Sequence, residues 1–171
     1  MFFGFGKKKE TNENELKILS PCDGKIKDLT KVDDAVFAEK MTGDGVAIIP
    51  KNGKILAPFK GKMQVVFDTG HAYGIKSDLG PEVLIHIGID TVTLNGQGFT
   101  KKVSQGKSVR EQAEIAEVDL KVINELAKGS DIIVILTDDS LEEKWKLEMI
   151  VKPGDEVKAG DILFKAVKKD N

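Results

Sequence analysis

The two histidines of the sequence, His71 and His86, are the residues whose chemistry most needs an explanation. A buried histidine with satisfied hydrogen bonds is the conservative interpretation, and a reactive imidazole is the alternative. The sequence has one cysteine and neither a G-x-S-x-G nor an H-E-x-x-H motif, which disfavours a serine-type triad and a zinc protease. Neutral imidazole, with an ordinary pKa near 6.5, is nucleophilic at neutral pH. These residues therefore favour transfer of a phosphoryl group to a histidine nitrogen.

Strand alternation predicts the direction in which His86 points. In an extended strand, successive side chains point to opposite faces, so the stretch VLIHIGID divides into two sets. The β-branched set is expected to face the core and consists of Val83, Ile85, Ile87 and Ile89. The other set consists of Leu84, His86, Gly88 and Asp90. His86 is therefore predicted to face away from the core, and Gly88 leaves space beside its ring for a phosphate-sized group.

The second histidine lies in the stretch FDTGHAYGI, two residues after a threonine. In an extended segment, Thr69, His71 and Tyr73 share one face, and the hydroxyl of Thr69 can hydrogen-bond the ring and fix its tautomer. The segment between the two histidines has about the length of a hairpin. Neighbouring antiparallel strands are therefore expected to bring His71 and His86 side by side.

The elements that must position these residues are mainly short strands. Apolar runs rich in Val and Ile recur along the chain and are separated by Gly, Asp, Asn and Pro, which predicts an all-β sandwich or barrel. One helix is predicted at 120–128, with Asp119 as its N-cap and Gly129 after its last turn. The segment 33–41 is expected to hold one or two further helical turns.

Internal repeats indicate that the sandwich is antiparallel and built from duplicated halves. The stretch SPCDGKI (20–26) matches APFKGKM (57–63), because each contains Pro-x-x-Gly followed by a strand. The stretch VSQGKSVREQAEI (103–115) matches VKPGDEVKAGDIL (151–163), because each contains V-x-x-G-x-x-V and then a strand. Two pairs of matching segments predict duplicated hairpin units.

Length and net charge limit the kinds of protein that this sequence can be. The chain has 171 residues and a net charge of −2, which fits one soluble domain and gives no overall positive charge for nucleic acid. Residues 1–15 are expected to form a flexible tail, and residues 16–171 a single domain. Within the tail, residues 1–9 combine phenylalanines with three lysines, so weak contact with a membrane surface is an open alternative. We expect a cytoplasmic protein.

The motifs quoted above, together with DAVFAEKMTGDGVAIIP and VLIHIGIDTVTLNGQGF, resemble the glucose-type enzyme IIA of the bacterial phosphoenolpyruvate:sugar phosphotransferase system. The resemblance extends from about residue 17 to residue 168, and the string HIGIDTV (86–92) is its most specific part. It implies an all-β sandwich with pseudo-duplicated halves, in agreement with the repeats. The sequence departs from some members at Leu84, where they carry Phe, and at Gly70, where they carry Asn.

The resemblance also implies the roles of individual residues. His86 is the phosphoryl acceptor at Nε2, His71 is the second active-site histidine, Thr69 hydrogen-bonds His71, and the carbonyl of Gly88 orients His86 through Nδ1. A partner-binding surface surrounds this site. Its acidic members are Asp34 and Asp90, and its apolar members are Val36, Phe37, Phe67, Leu84 and Val92.

The implied function is that of a phosphocarrier. His86 accepts a phosphoryl group from the histidine-containing phosphocarrier protein and passes it to a cysteine of a sugar-specific enzyme IIB, which serves the membrane sugar permease (enzyme IIB/IIC). A protein that chiefly regulates other proteins through its phosphorylation state is the alternative. No cofactor is required besides the covalent phosphate. One cysteine and two histidines cannot close a structural zinc site without carboxylates. The resemblance allows zinc at His71 and His86 only in a complex whose partner supplies a carboxylate. The protein is expected to visit the inner face of the cell membrane transiently.

Overall fold

The computed structural model describes residues 12–170, and this part of the chain is an antiparallel β-sandwich with a few short helices. The strands, numbered along the chain, are β1 (Glu15–Leu19), β2 (Gly24–Lys27), β3 (Gly43–Pro50), β4 (Lys54–Leu56), β5 (Gly61–Val66), β6 (Ala72–Lys76), β7 (Glu82–Ile89), β8 (Phe99–Lys101), β9 (Ser108–Val109), β10 (Glu114–Val118), β11 (Gly129–Thr137), β12 (Trp145–Met149), β13 (Glu156–Val157) and β14 (Ile162–Lys168). The helices are α1 (Ala35–Ala38), α2 (Leu120–Leu126) and α3 (Asp138–Glu143). Two 3₁₀ turns lie at Leu29–Lys31 and Thr91–Leu94. The predicted all-β sandwich is confirmed.

The strands form one large sheet and two small ones. The large sheet has the order β13-β2-β3-β11-β7-β6-β5-β9, which places β7 near its centre between β11 and β6. The small sheets have the orders β1-β14-β12 and β4-β10-β8. A strand that is paired on both edges has its backbone fixed by two ladders of hydrogen bonds, so β7 is a rigid support for a side chain.

The duplicated halves are visible in the backbone hydrogen bonds. In one half Gly154 donates to the carbonyl of Ile26, and in the other Gly106 donates to the carbonyl of Met63, at 2.9 and 2.8 Å. The strand pairs correspond as well, because β13 pairs with β2 while β9 pairs with β5. The repeats found in the sequence therefore correspond to two hairpin units with the same pairing.

The helices agree with the prediction at two positions and extend it at a third. The predicted helix at 120–128 is α2, which the carboxylate of Asp119 caps by accepting from the amides of the first turn, and the turns at 33–41 contain α1. The predicted end is wrong, because α2 stops at Leu126 with Ala127 as its C-cap, and Gly129 is the first residue of β11. The third helix, α3, exceeds the one or two helices expected. Its first turn contains Asp138 and Asp139, which suit the positive end of a helix dipole.

Two apolar clusters lie on opposite sides of β7. Val83, Ile85 and Ile87 lie in the larger cluster between the sheets, as the alternation predicts. Ile89, predicted for the same face, lies in a smaller cluster on the His86 side of the strand. The prediction for Ile89 is wrong because Gly88 has a φ of +79°, which breaks the extended conformation and its alternation.

The N-terminal segment joins the fold earlier than the predicted boundary between tail and domain. Glu15 begins β1, and the amide of Lys168 donates to the carbonyl of Asn14 at 2.8 Å. Residues 12–15 of the predicted tail therefore belong to the folded part, while residues 1–11, including the proposed membrane contact at 1–9, lie outside the described residues. Between residues 12 and 170, no helix is long and apolar enough to span a membrane.

Candidate active site

The imidazole of His86 is held by its own strand. Its Nδ1 lies 2.9 Å from the carbonyl oxygen of Gly88. A carbonyl can only accept, so Nδ1 carries the proton and the neutral ring has an unprotonated Nε2. The side chain is partly exposed at the end of β7. The structure therefore presents a nitrogen lone pair at the surface, on a ring whose other nitrogen is fixed.

The ring of His71 lies beside that of His86. The two strands bring them together because Ala72, the first residue of β6, pairs with His86, and the amide of Ile87 donates to the carbonyl of His71 at 2.7 Å. The ring centroids are 5.1 Å apart and the planes are tilted by 79°. The Oγ1 of Thr69 contacts Nδ1 of His71. The hairpin length and the Thr-x-His spacing in the sequence indicated this arrangement. Tyr73, predicted for the same face as His71, instead lies in the larger core cluster, because the segment before β6 forms a turn and is not extended.

A tight turn before β6 places the side chain of His71 beside His86. The amide of Gly70 donates to the carbonyl of Phe67 at 2.8 Å, and Gly70 has a φ of +75°. Glycine and asparagine are the residues that adopt a positive φ most readily. The departure at Gly70, where some similar proteins carry Asn, therefore preserves the turn.

The backbone at Gly88 admits no side chain. A Cβ there would lie 2.4 Å from Cγ2 of Thr91 and 3.0 Å from the carbonyl oxygen of Gly129, in addition to the strain of its positive φ. Asp90, two residues later, also has a positive φ, of 60°. This irregular end of β7 turns the carbonyl of Gly88 back toward the ring of His86. The prediction that Gly88 leaves space for a phosphate-sized group is wrong, because Thr91 and the backbone of Gly129 occupy the volume beside this buried glycine. The resemblance implied the role of the Gly88 carbonyl, which spacing in the sequence did not show.

An exposed apolar rim surrounds the histidines. Of the residues predicted for a partner surface, Val36, Phe67 and Val92 are exposed, and the edge of Phe67 packs against His71 with centroids 5.1 Å apart. Met41 is 61% exposed and its amide donates to the carbonyl of Val36, so its backbone lies next to this rim. Sequence reasoning missed Met41, because one methionine after a short helix carries no periodic signal.

Phe37 and Leu84, also predicted for the partner surface, are placed differently. Phe37 is 7% exposed and lies 4.8 Å from His86 between ring centroids. Leu84 is half-buried and packs against the same small cluster. Phe37 therefore packs against the imidazole and offers little area to a partner, and Leu84 is partly covered by the same cluster.

The two acidic residues predicted at the rim have different local settings. The carboxylate of Asp34 accepts from the amide of Val36 at 2.9 Å and so caps α1. It lies close enough to His86 to favour the protonated ring. Asp90 is exposed beyond the end of β7. Asp34 therefore borders the site and is fixed in place by its capping hydrogen bond, while a partner-binding role for Asp90 stays a prediction.

The environment keeps both imidazoles neutral at physiological pH. Burial, and then the neighbouring His71, lowers the pKa of His86 from 6.5 to about 4, against the opposing effects of the Gly88 hydrogen bond and the Asp34 carboxylate. Burial also lowers the pKa of His71. A neutral imidazole retains the lone pair that a nucleophile needs, so the site is ready to react at neutral pH.

The lowered pKa of His86 predicts that the protein loses stability in mild acid. The His86 side chain binds a proton near pH 6.5 in the unfolded chain and only near pH 4 in the folded chain. Its contribution to the free energy of unfolding is therefore fully present above pH 6.5 and is lost as the pH falls toward 4. We expect the free energy of unfolding to fall by about 2 kcal/mol between pH 7.5 and pH 5 from His86 alone. Urea unfolding at the two pH values measures this.

The matched variant for this measurement is His86→Asn, which cannot titrate but keeps an amide to donate to Gly88. Between pH 7.5 and pH 5, its free energy of unfolding should fall by about 2 kcal/mol less than that of the wild-type protein, because the His86 contribution is absent. His71 contributes in the same direction and remains in both proteins. An equal loss in the two proteins would show that His86 is not the titrating group.

Zinc has two candidate ligands in this site. The Nε2 atoms of the two histidines are free of the hydrogen bonds that occupy Nδ1. Across residues 12–170 there is no group of three or more His, Cys, Asp or Glu side chains that could hold a metal ion. A tetrahedral zinc ion needs further ligands, so a site completed by a partner's carboxylate stays a prediction.

Comparison with known proteins agrees with this geometry. The family model for EIIA 1 of the phosphoenolpyruvate-dependent sugar phosphotransferase system matches residues 16–142. Among solved structures, the glucose permease IIA from Mycoplasma capricolum is similar, with 40% sequence identity and a TM-score of 0.79. The match covers 96% of this chain and 99% of that chain, so it extends beyond residue 142, where the match to the family model ends. The chain therefore belongs to the EIIA 1 family of the phosphoenolpyruvate-dependent sugar phosphotransferase system and is of the glucose type.

Proposed function

We propose that His86 accepts a phosphoryl group from the histidine-containing phosphocarrier protein and passes it to a cysteine of a sugar-specific enzyme IIB. The observation that carries this proposal is the hydrogen bond from Nδ1 of His86 to the carbonyl of Gly88, because it leaves Nε2 as the free nucleophile. The name of the similar solved structure supports glucose as the sugar of the associated permease.

Uptake is an in-line displacement at phosphorus. The lone pair on Nε2 of His86 attacks the phosphorus of the carrier's phosphohistidine, the bond between phosphorus and the carrier's nitrogen breaks, and its electron pair returns to that nitrogen. The proton on Nδ1 of His86 stays on Nδ1, and its bond to the Gly88 carbonyl stabilises the positive charge that develops on the ring.

His71 stabilises the transferred group. With the hydroxyl of Thr69 donating to Nδ1, neutral His71 carries its proton on Nε2 and can donate it to a phosphoryl oxygen. The edge-to-face arrangement with His86 allows one ring to attack while the other donates. A hydrogen bond to the charged phosphoryl group in a site closed from water is stronger than one in bulk solvent.

Docking on the apolar rim protects the phosphoryl group from hydrolysis. The exposed side chains of Val36, Met41, Phe67 and Val92 give a partner an apolar surface around the histidines, and contact there excludes water. Asp34 and Asp90 would pair with basic residues of the partner. A carrier must exchange partners, so the interface is expected to be small and transient.

Mapping the phosphate tests the proposal. The protein is incubated with phosphoenolpyruvate, enzyme I and the phosphocarrier protein, and the acid-labile phosphate is located by mass spectrometry and by ³¹P and ¹⁵N NMR. We expect one phosphate on Nε2 of His86. Phosphate on His71, on Nδ1 of His86, or absent from the protein would contradict the proposed relay.

Replacing His71 with glutamine should slow donation more than uptake. In uptake a neutral imidazole approaches the phosphoryl group, whereas in donation an anionic thiolate approaches it and repulsion is greater, so the hydrogen bond from His71 matters more. We expect a loss of about 10²-fold in transfer to enzyme IIB and of about tenfold or less in uptake. Rapid-quench measurements of the two half-reactions give both rates. Equal losses in both steps would contradict this assignment of His71.

A regulatory function is the second candidate, and the exposed rim favours it. Phosphorylation adds about −1.5 to −2 charges in the middle of this apolar surface, so it can switch the binding of other proteins. Affinity capture with phosphorylated and unphosphorylated protein distinguishes regulation from transfer alone. Partners that bind one form and exchange no phosphate support the regulatory function.

A further inference from the structure

Thr91 is buried although it lies in an exposed loop beside the site. Its side chain is 0% exposed, whereas its neighbours Asp90 and Val92 are exposed. A polar side chain is seldom fully buried unless its hydrogen bonds are satisfied, so its contacts indicate what it does.

Two contacts join Thr91 to the backbone next to His86. Its Oγ1 donates to the carbonyl of Ile87 at 2.6 Å. Its Cγ2 lies so close to Gly88 that a Cβ there would be only 2.4 Å away. The hydroxyl thus holds the peptide unit before Gly88, and the methyl group packs against the glycine itself.

The strand ladder does not hold this glycine. In the pairing of β7 with β11, Ile87 lies opposite Ile132 and Ile89 lies opposite Gly129, and the register shifts between these two pairs. Gly88 falls in the shifted region, and a glycine has more accessible conformations than any other residue. Something other than the ladder must fix the direction of its carbonyl.

We propose that Thr91 is the positioning residue that fixes the tautomer of His86, by holding Gly88 so that its carbonyl accepts from Nδ1. The proposal deepens the phosphocarrier function, and its rate measurement rests on that function. The tautomer itself is a property of the unphosphorylated protein and is measured without any partner.

Two substitutions separate the hydroxyl from the rest of the side chain. Thr91→Val keeps the volume and the methyl group but removes the donor to Ile87, and Thr91→Ser keeps the donor. In Thr91→Val, ¹⁵N NMR of the imidazoles should show His86 shifting from the Nδ1–H tautomer toward a mixture, with the signals of His71 unchanged. Uptake from the phosphocarrier protein should fall about tenfold, the factor that corresponds to the net energy of one hydrogen bond. Thr91→Ser should keep the wild-type tautomer and rate.

The outcomes decide between positioning and simple packing. An unchanged tautomer in Thr91→Val would overturn the proposal, and so would equal losses of uptake in Thr91→Val and Thr91→Ser. Circular dichroism checks that each variant is folded, and Thr91→Ala replaces Thr91→Val if the latter does not fold. If the wild-type protein takes no phosphate from the carrier, the phosphocarrier function fails while the tautomer comparison still decides the role of Thr91.

Discussion

A chain with His86→Asn is expected to take up no phosphate from the phosphocarrier protein above the background of an assay without enzyme I. The substitution removes Nε2, the nitrogen left free by the hydrogen bond to Gly88. No other imidazole should replace it, because the sequence has only one more histidine, and that residue, His71, is only 3% exposed. Transfer of labelled phosphate from phosphoenolpyruvate, followed over time, measures the loss.

Asparagine is the informative replacement because its amide can still donate to the carbonyl of Gly88. The backbone of the site should therefore remain in place, and the free energy of unfolding at pH 7.5 should change by about 1 kcal/mol or less. His71→Gln is the matched control, since it alters the neighbouring imidazole and should still take up phosphate. Stoichiometric phosphate on His86→Asn would show that the acceptor is another residue.

The direction of His86 could be predicted from sequence because it depends on local geometry. Alternation along a strand is a property of the backbone, and three β-branched neighbours of His86 lie in the larger core cluster as expected. The repeats predicted paired hairpin units for a similar reason, since the same turn residues at the same spacing produce the same pairing. The fold class and the proximity of the histidines follow from such short-range rules.

The remaining features of the site depend on contacts between distant segments. Phe37 lies under the ring of His86 because α1 packs on the large sheet, and no spacing within 33–41 encodes that contact. The change of face at Ile89 arises from a positive φ at Gly88 and from a register shift against Gly129. A glycine in a strand sequence signals either free space or an irregular backbone, and only the partner strand distinguishes the two.

The irregular backbone explains why Gly88→Ala should damage the site more than a mutation of any rim residue. The positive φ strains an alanine there, and its Cβ would overlap Cγ2 of Thr91, which must then move from the carbonyl of Ile87. Strain and the lost hydrogen bond together should lower the free energy of unfolding by about 3 kcal/mol. Uptake of phosphate should fall by about 10²-fold, because the displaced Gly88 carbonyl no longer holds the ring or stabilises its charge. Urea unfolding and phosphate transfer measure the two effects.

The chain provides a control that separates strain from steric overlap. Gly106 has a φ of +88°, close to that of Gly88, and a Cβ added there meets nothing within 4 Å. Gly106→Ala should therefore lower the free energy of unfolding only by the backbone strain, about 1–2 kcal/mol, with uptake of phosphate unchanged.

Adding Thr91→Ser to Gly88→Ala removes the overlapping methyl group and should restore part of both stability and uptake. Equal effects of Gly88→Ala and Gly106→Ala on uptake would mean that the Gly88 carbonyl does not orient His86. If the double variant regains neither stability nor uptake, the harmful overlap is with the carbonyl oxygen of Gly129 and not with Thr91.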